Sequence, residues 1–107
     1  MDKEQYLAFI ETTLDEIQEL IRQKNNDYTG GSQNADPFAN FRQAEDFGVE
    51  PLTGLAIRMG DKFQRIKAFA LDGKLAVGGE GIEDAFRDLI GYSLIALGML
   101  EETGRGR

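Results

Sequence analysis

Polar side chains in the last third of the chain have the spacing of one helix face. Asp84, Asp88 and Tyr92 follow one another at intervals of four residues, which places them on one side of a helix. Asp88 comes directly before the most apolar stretch of the sequence, where an unpaired carboxylate is costly. Carboxylates that converge here can hold Mg²⁺, with water and phosphate oxygens completing its coordination. The alternative is an acidic helix N-terminus that suits the helix dipole.

A second group of charged side chains precedes this one. Arg58, Lys62 and Arg65 are four and three residues apart and share a helix face, and Asp61 lies four residues before Arg65. One interpretation is a network of ion pairs within the helix, which stabilises a helix only slightly. The other is a site in which Asp61 ligates a metal ion while Lys62 or Arg65 binds phosphate. The spacing favours the two interpretations equally.

The enzymatic interpretation gives the three aspartates specific roles. Asp61, Asp84 and Asp88 are the predicted ligands of Mg²⁺, and Asp61 and Asp88 are the predicted catalytic residues. The chain has neither histidine nor cysteine. Because those residues are the usual ligands of transition metals, any metal ion here is expected to be held by oxygen atoms.

The segment Lys24-Asn25-Asn26-Asp27-Tyr28 brings a cation, two amides, a carboxylate and a phenol together. Turn formation explains Asn and Asp but requires neither Lys24 nor Tyr28. We predict Lys24, Asn25, Asp27 and Tyr28 as ligand-binding residues. The segment can contact the ribose and base, with Tyr28 stacking on the base, and Lys24 can stabilise negative charge on the phosphates.

A further amide lies between two aromatic residues. Asn40 separates Phe38 from Phe41, and its side chain can both donate and accept hydrogen bonds. Two aromatic residues three positions apart belong more often to a core than to a base-stacking platform. Because of its amide, we predict Asn40 as a ligand-binding residue. The other ligand-binding residues predicted in this part of the chain are Arg58, Lys62, Arg65 and Tyr92.

The elements that must position these residues are all helical. Apolar residues at intervals of three and four predict an amphipathic helix over 3–25, followed by a polar loop over 26–37. Asp36-Pro37 resembles an N-cap with proline at the first helical position, which predicts a short helix from Pro37 to about Phe47. A third helix opens near Pro51 and ends at Asp72-Gly73.

The last predicted helix runs from Gly81 or Ile82 to Glu102, after a glycine-rich stretch. From Leu89 to Leu100 it is apolar nearly all round, which predicts the central, most buried helix. The sequence thus predicts an all-α fold, an up-down bundle of three long helices and one short helix. We expect a single domain over 1–107, with residues 1–2 and 103–107 frayed.

Composition limits the classes of protein to which the chain can belong. The chain has 107 residues, 41% of them hydrophobic, which suits one globular domain. No apolar run is long enough to span a membrane, and the N-terminal residues are unlike a signal peptide, so we expect a cytoplasmic protein. A net charge of −7 disfavours nonspecific binding to nucleic acid. Wide apolar helix faces predict a homo-oligomer.

Four ordered motifs resemble a known family. They are K-N-x-D-Y at 24–28, D-P-F-x-N-F at 36–41, R-M-x-D-K-x-x-R at 58–65, and E-D-x-x-x-D-L-x-x-Y at 83–92. In this order they resemble the phage and bacterial family called nucleotide modification associated domain 1. The resemblance spans roughly residues 20–97 and implies a role in phage nucleotide metabolism or DNA modification, in the host cytoplasm if a phage encodes the chain. It does not imply a particular reaction.

A looser similarity is to the all-α, MazG-like nucleoside triphosphate pyrophosphohydrolases. Those enzymes gather Mg²⁺ with E-x-x-E on one helix and E-x-x-D on another. Glu16 and Glu19 match the first motif, whereas Glu83 and Asp88 are five residues apart and depart from the second. This departure weakens the catalytic assignment that the similarity implies.

These observations leave three hypotheses. The first is a phage-type nucleotide-binding protein that acts as a Mg²⁺-dependent pyrophosphohydrolase, releasing a nucleoside monophosphate and pyrophosphate. The second is a protein that sequesters a nucleotide signal, or another phosphorylated small molecule, without turnover and thereby antagonises host defence. The third is an acidic module that binds a host protein. Compact polar motifs disfavour the third, because an acidic mimic needs only dispersed carboxylates.

Overall fold

The computed structural model describes residues 1–29, 36–73 and 81–105, and for Tyr28 and Thr29 the backbone only. Four α-helices follow one another: α1 (Lys3–Thr29), α2 (Ala39–Arg42), α3 (Pro51–Asp72) and α4 (Ile82–Thr103). A 3-10 helix, Gln43–Phe47, lies between α2 and α3 in the chain. The described ranges contain no strand, and the predicted all-α class is confirmed. The predicted glycine-rich loop before α4 falls mostly outside these ranges.

Contacts divide the chain into two compact units, Met1–Pro37 and Phe38–Arg107. The first contains α1, and the second contains α2, the 3-10 helix, α3 and α4. The single domain over 1–107 stays a prediction.

Helix α1 is fixed at its start by a reciprocal capping box. The Gln5 backbone N–H donates to the Asp2 carboxylate at 2.8 Å, and the Asp2 backbone N–H donates to the Gln5 side-chain oxygen at 2.9 Å. Asp2 thus takes part in the cap, while fraying of residues 1–2 stays a prediction. The buried side chain of α1 is Ile17, and apolar residues at helical intervals from it form the stripe that the sequence predicts.

The end of α1 differs from the prediction. The helix continues to Thr29, so Lys24–Tyr28 lies in its last turns and not in a loop. Asn and Asp cost a helix only tenths of a kcal/mol each, and the first strong breaker along the chain is Gly30. The Asn25 amide donates to the Pro37 carbonyl oxygen at 3.1 Å, a contact that ties the helix end to the segment beyond it.

The predicted cap of the short helix is wrong. Helix α2 begins at Ala39 with Phe38 as the N-cap residue, two positions later than the predicted Asp36 cap. The backbone angles of Phe38 (φ −105°, ψ 7°) turn the chain into the helix without a side-chain cap. The helical segment does end as predicted, at Phe47, where Gly48 adopts the left-handed conformation with φ 72°.

Helices α3 and α4 form an antiparallel pair. Pro51 occupies the first turn of α3 and Gly73 ends it with φ 74°, as the sequence predicts. Leu55 of α3 and Ala85 and Met99 of α4 are buried. Arg105, just after α4, pairs with Glu50 at the start of α3, so the two helices run in opposite directions. Fraying of residues 103–107 stays a prediction.

Helix α4 holds Ala85 and Met99, two of the four side chains that are buried among the described residues, and its position as the central helix stays a prediction. Four of its large apolar side chains, Phe86, Ile90, Leu94 and Leu97, are exposed over the described residues. Apolar residues on all sides of a helix predict that every side is buried. They do not show which side packs against other helices of the same chain. None of the described helices is long and apolar enough to cross a membrane.

Candidate functional site

An ion pair between α3 and α4 sets the geometry of the candidate site. Lys62 Nζ lies 3.0 Å from Asp88 Oδ2, and the two side chains are 20% and 22% exposed. Because the helices are antiparallel, a step of four residues back along α3 matches a step of four forward along α4. Arg58 therefore lies at the level of Tyr92. The matching four-residue intervals of the two charged motifs thus become two facing rows.

Phe41 of α2 contacts both Arg58 and Tyr92. The Arg58 guanidinium carbon is 4.9 Å from the centroid of the Phe41 ring, a cation–π distance. The Phe41 and Tyr92 rings meet edge to face, with centroids 6.5 Å apart and an interplanar angle of 86°. Phe41 therefore connects α2 to the cationic residues of α3 and to the phenol of α4.

The side chain of Phe38, the N-cap residue of α2, lies close to α4. Phe38 lies so near Gly98 that a Cβ atom added at position 98 would be 2.8 Å from Phe38 Cζ. Arg42 stacks on Phe38 at 6.0 Å and pairs with Glu102 at 2.6 Å. These contacts link α2 to α4 at both of its ends, and between them Phe41 lies under Arg58. Asn40, the residue before Phe41, is half-buried.

We call Arg58, Lys62 and Arg65 the cation row, since all three lie along one side of α3. Arg58 is exposed, while Lys62 and Arg65 are half-buried and engaged in contacts of their own. Stacking on Phe41 restrains the plane of the Arg58 guanidinium. A restrained guanidinium with an exposed edge suits bidentate binding of a phosphate or carboxylate group.

The three predicted metal ligands enter different contacts. Asp88 pairs with Lys62, Asp84 lies 3.4 Å from Arg87 Nη1, and Asp61 is exposed. Over residues 1–29, 36–73 and 81–105, no group of three or more His, Cys, Asp or Glu side chains could hold a metal ion. As placed, these aspartates do not fit a Mg²⁺ site. Their catalytic and metal-binding roles stay predictions.

The predicted site residues of α1 belong to the first unit. Lys24 and Asp27 are exposed, and Asn25 is half-buried with its amide on the Pro37 carbonyl. The side chain of Tyr28 lies outside the described residues. Asn25 therefore has a structural contact, and ligand binding by all four residues stays a prediction.

The E-x-x-E pair on α1 is not a pair of equivalent carboxylates. Arg22 Nη2 donates to both Glu19 oxygens, at 2.7 and 2.6 Å, and Gln23 adds a hydrogen bond at 3.2 Å. The hydrogen bond from Arg22 lowers the pKa of Glu19 and, in return, raises the pKa of Arg22. Glu16 is exposed one turn earlier.

Phe41 is the site residue that sequence reasoning placed in the core. One available signal was the matched spacing of four residues from Arg58 to Lys62 and from Asp88 to Tyr92. In an antiparallel helix pair these intervals are aligned, which brings Arg58 and Tyr92 to the same level. Phe41, next to Asn40, can then contact both of them. Comparison of the chain with protein-family models, with curated proteins and with solved structures finds no match, so the resemblance to the nucleotide modification associated domain 1 family stays a prediction.

Proposed function

We propose that the protein binds a nucleotide, with the phosphate groups on the cation row and the base or sugar near Phe41, Tyr92 and Asn40. The observation that supports this most is the stacked pair of Arg58 and Phe41, whose guanidinium carbon and ring centroid are 4.9 Å apart. A guanidinium held over a ring loses freedom to move, and its planar set of N–H groups suits bidentate recognition of phosphate oxygens.

The charge distribution supports an anionic small molecule over a polyanion. The chain carries a net charge of −7, so an extended nucleic acid is repelled by most of its surface. Three cations on one side of α3 nevertheless provide a local positive region. A ligand with two or three phosphates is small enough to contact that region alone.

Asp88 has a positioning role in this proposal. Its carboxylate accepts from Lys62 at 3.0 Å and keeps the ammonium group next to Arg58 on the same face of α3. An engaged Asp88 favours binding over metal-assisted hydrolysis, because the same carboxylate would otherwise have to serve Mg²⁺. Retention of the intact nucleotide is therefore the first proposal, and Mg²⁺-dependent pyrophosphate release is the competing one.

The test measures binding and turnover on the same samples. Purified protein is incubated with nucleoside mono-, di- and triphosphates and cyclic nucleotides, with and without Mg²⁺. Isothermal titration calorimetry gives the affinity, and chromatography of the supernatant gives the products. We expect saturable binding of an intact nucleotide, independent of Mg²⁺. Mg²⁺-dependent release of pyrophosphate that is lost in Asp88→Asn would establish the hydrolase instead.

A matched pair of charge deletions localises the site. Arg58→Ala is expected to weaken binding about ten- to a hundredfold, since a charge-assisted hydrogen bond contributes roughly 1.5–3 kcal/mol. Lys67→Ala removes the same charge from an exposed position elsewhere on α3 and is expected to leave affinity within about twofold. Equal losses in both variants would show that only overall charge matters, and no binding across the panel would leave the protein-binding hypothesis in front.

A further inference from the structure

The contacts described for helix α2 lie near the surface of its unit. None of its four residues is buried, and neither is any residue of the 3-10 helix that follows. Arg42, the last residue of α2, pairs with Glu102 of α4 at 2.6 Å, and the two side chains are 37% and 49% exposed. Because α2 contributes no buried side chain, its closed position depends on such polar contacts and lies near balance with a locally open one.

The segment after α2 is anchored on α3. Ala44 of the 3-10 helix packs closely there, since a Cβ atom added at Gly54 would be 3.2 Å from the Ala44 Cβ. The Val49 N–H donates to the Ala44 carbonyl oxygen at 3.0 Å, and the chain enters α3 two residues later at Pro51. Helix α2 therefore has a fixed side towards α3, whereas its side towards α4 is tied by the ring of Phe38 and an exposed ion pair.

The ion pair lies far from the candidate site along α4. Glu102 follows Tyr92 by ten residues, which is about 15 Å of helix. Arg42 directly follows Phe41, so this pair restrains the residue next to the ring that contacts Arg58 and Tyr92. Salt, or a change of charge at either partner, weakens an exposed ion pair. A small change at the end of α4 can therefore alter the position of Phe41.

From these contacts, we propose that the Arg42–Glu102 pair is an electrostatic latch that holds α2 closed against α3 and α4, with its hinge at Ala44. With the latch intact, Phe41 stays against Arg58 and Tyr92. When salt or the loss of one charge opens the latch, α2 moves away while the 3-10 helix keeps its place on α3. The latch is a property of the ligand-free chain, so its test does not depend on nucleotide binding.

Hydrogen exchange of two backbone amides, followed by NMR on the ligand-free protein, tests the latch. The Phe41 N–H donates to the Phe38 carbonyl oxygen at 2.9 Å and reports on α2, since so short a helix does not persist once released. The Val49 N–H reports on the hinge. Glu102→Gln is expected to speed exchange at Phe41 about two- to fivefold, the range for loss of an exposed ion pair, and to leave Val49 nearly unchanged.

A matched substitution and a change of salt serve as controls. Asp84→Asn removes a carboxylate from the exposed pair with Arg87 on the same helix and should change exchange at neither amide. Raising NaCl from about 50 mM to about 1 M should speed exchange at Phe41 relative to Val49 in the wild-type chain but not in Glu102→Gln.

A double-mutant cycle shows whether the two charges act together. In an Arg42→Gln background, Glu102→Gln should add no further acceleration at Phe41, because the pair is already broken. Additive effects of the two substitutions, or an exchange rate at Phe41 that Glu102→Gln leaves unchanged, would overturn the latch. Equal acceleration at Phe41 and Val49 would overturn the hinge, and an unprotected Phe41 amide in the wild-type chain would show that α2 is not held closed at all.

Discussion

Lys62 and Asp88 form an ion pair between α3 and α4 in which about four fifths of each side chain is covered. Covered charges are stabilised by each other and not by bulk water, so each depends on its partner. The pair also fixes the helix register that brings Arg58 to the level of Tyr92. One contact thus determines both the packing of the two helices and the arrangement of the candidate site.

Removing one partner of this pair is expected to cost more than removing an exposed charge. Lys62→Met leaves Asp88 without its cation and should lower the free energy of unfolding by about 1–3 kcal/mol, less than for a fully buried pair. Asp84→Asn, in the more exposed pair with Arg87, should change it by no more than about 0.5 kcal/mol. Urea denaturation followed by circular dichroism measures both. Equal small losses would show that water screens the Lys62–Asp88 pair.

Two glycines in helix interiors should respond oppositely to alanine. Position 60 has open space around an added Cβ, so Gly60→Ala should stabilise the protein by about 0.5–1 kcal/mol. Position 98 has the Phe38 ring at 2.8 Å, and displacing that ring should outweigh the gain in helix propensity. Gly98→Ala should therefore lower the melting temperature and weaken nucleotide binding. Stabilisation by both substitutions would contradict the close packing of α2 on α4.

The ring of Phe41 should matter beyond its hydrophobicity. Phe41→Leu retains an apolar side chain but removes the surface on which Arg58 stacks, a contribution of about 0.5–1 kcal/mol. We expect a several-fold loss of nucleotide affinity with a small change in melting temperature. Phe47→Leu is the matched control, because Phe47 is 86% exposed and belongs to no site contact described above. An unchanged affinity in Phe41→Leu would remove Phe41 from the site.

The carboxylate of Glu19 should titrate below its usual range. Its pKa is lowered chiefly by the hydrogen bond from Arg22. A lowered folded-state pKa contributes stability above the ordinary pKa, and this contribution is lost as the pH falls through the lowered value. Both side chains are exposed, so the effect on stability should be small. NMR titration of the Glu19 side chain should show its pKa returning to the ordinary value in Arg22→Ala.

The accuracy of the sequence predictions follows the strength of the local signals. The ends of helix α3 were predicted closely because each has a strong local signal. Proline is favoured in the first turn of a helix, where Pro51 lies, and glycine is favoured in the left-handed conformation that Gly73 adopts after the last turn. The end of α1 was missed because Asn25–Thr29 contains no strong breaker, and the contact that ties it down joins residues twelve positions apart.

The site was harder to predict than the helices. The charged rows of α3 and α4 could be found from their spacing, but the pairing of Lys62 with Asp88 depends on the register of two packed helices. The role of Phe41 depends on how closely α2 approaches α4, which Gly98 permits and no local pattern reveals. Similarly, apolar residues on all sides of α4 predict that the whole helix surface is buried, but they do not show what it packs against.

The smallest helix carries the aromatic centre of the candidate site. Helix α2 has four residues, too few to be stable without its packing on α3 and α4. Its amide hydrogens should therefore exchange with solvent through local opening at a free energy well below that of global unfolding. A nucleotide that contacts Phe41 binds only the closed form, so part of its binding energy is spent on closing α2. Occupancy of the site should then appear as slowed hydrogen exchange in α2, at ligand concentrations that leave exchange in the middle of α3 unchanged.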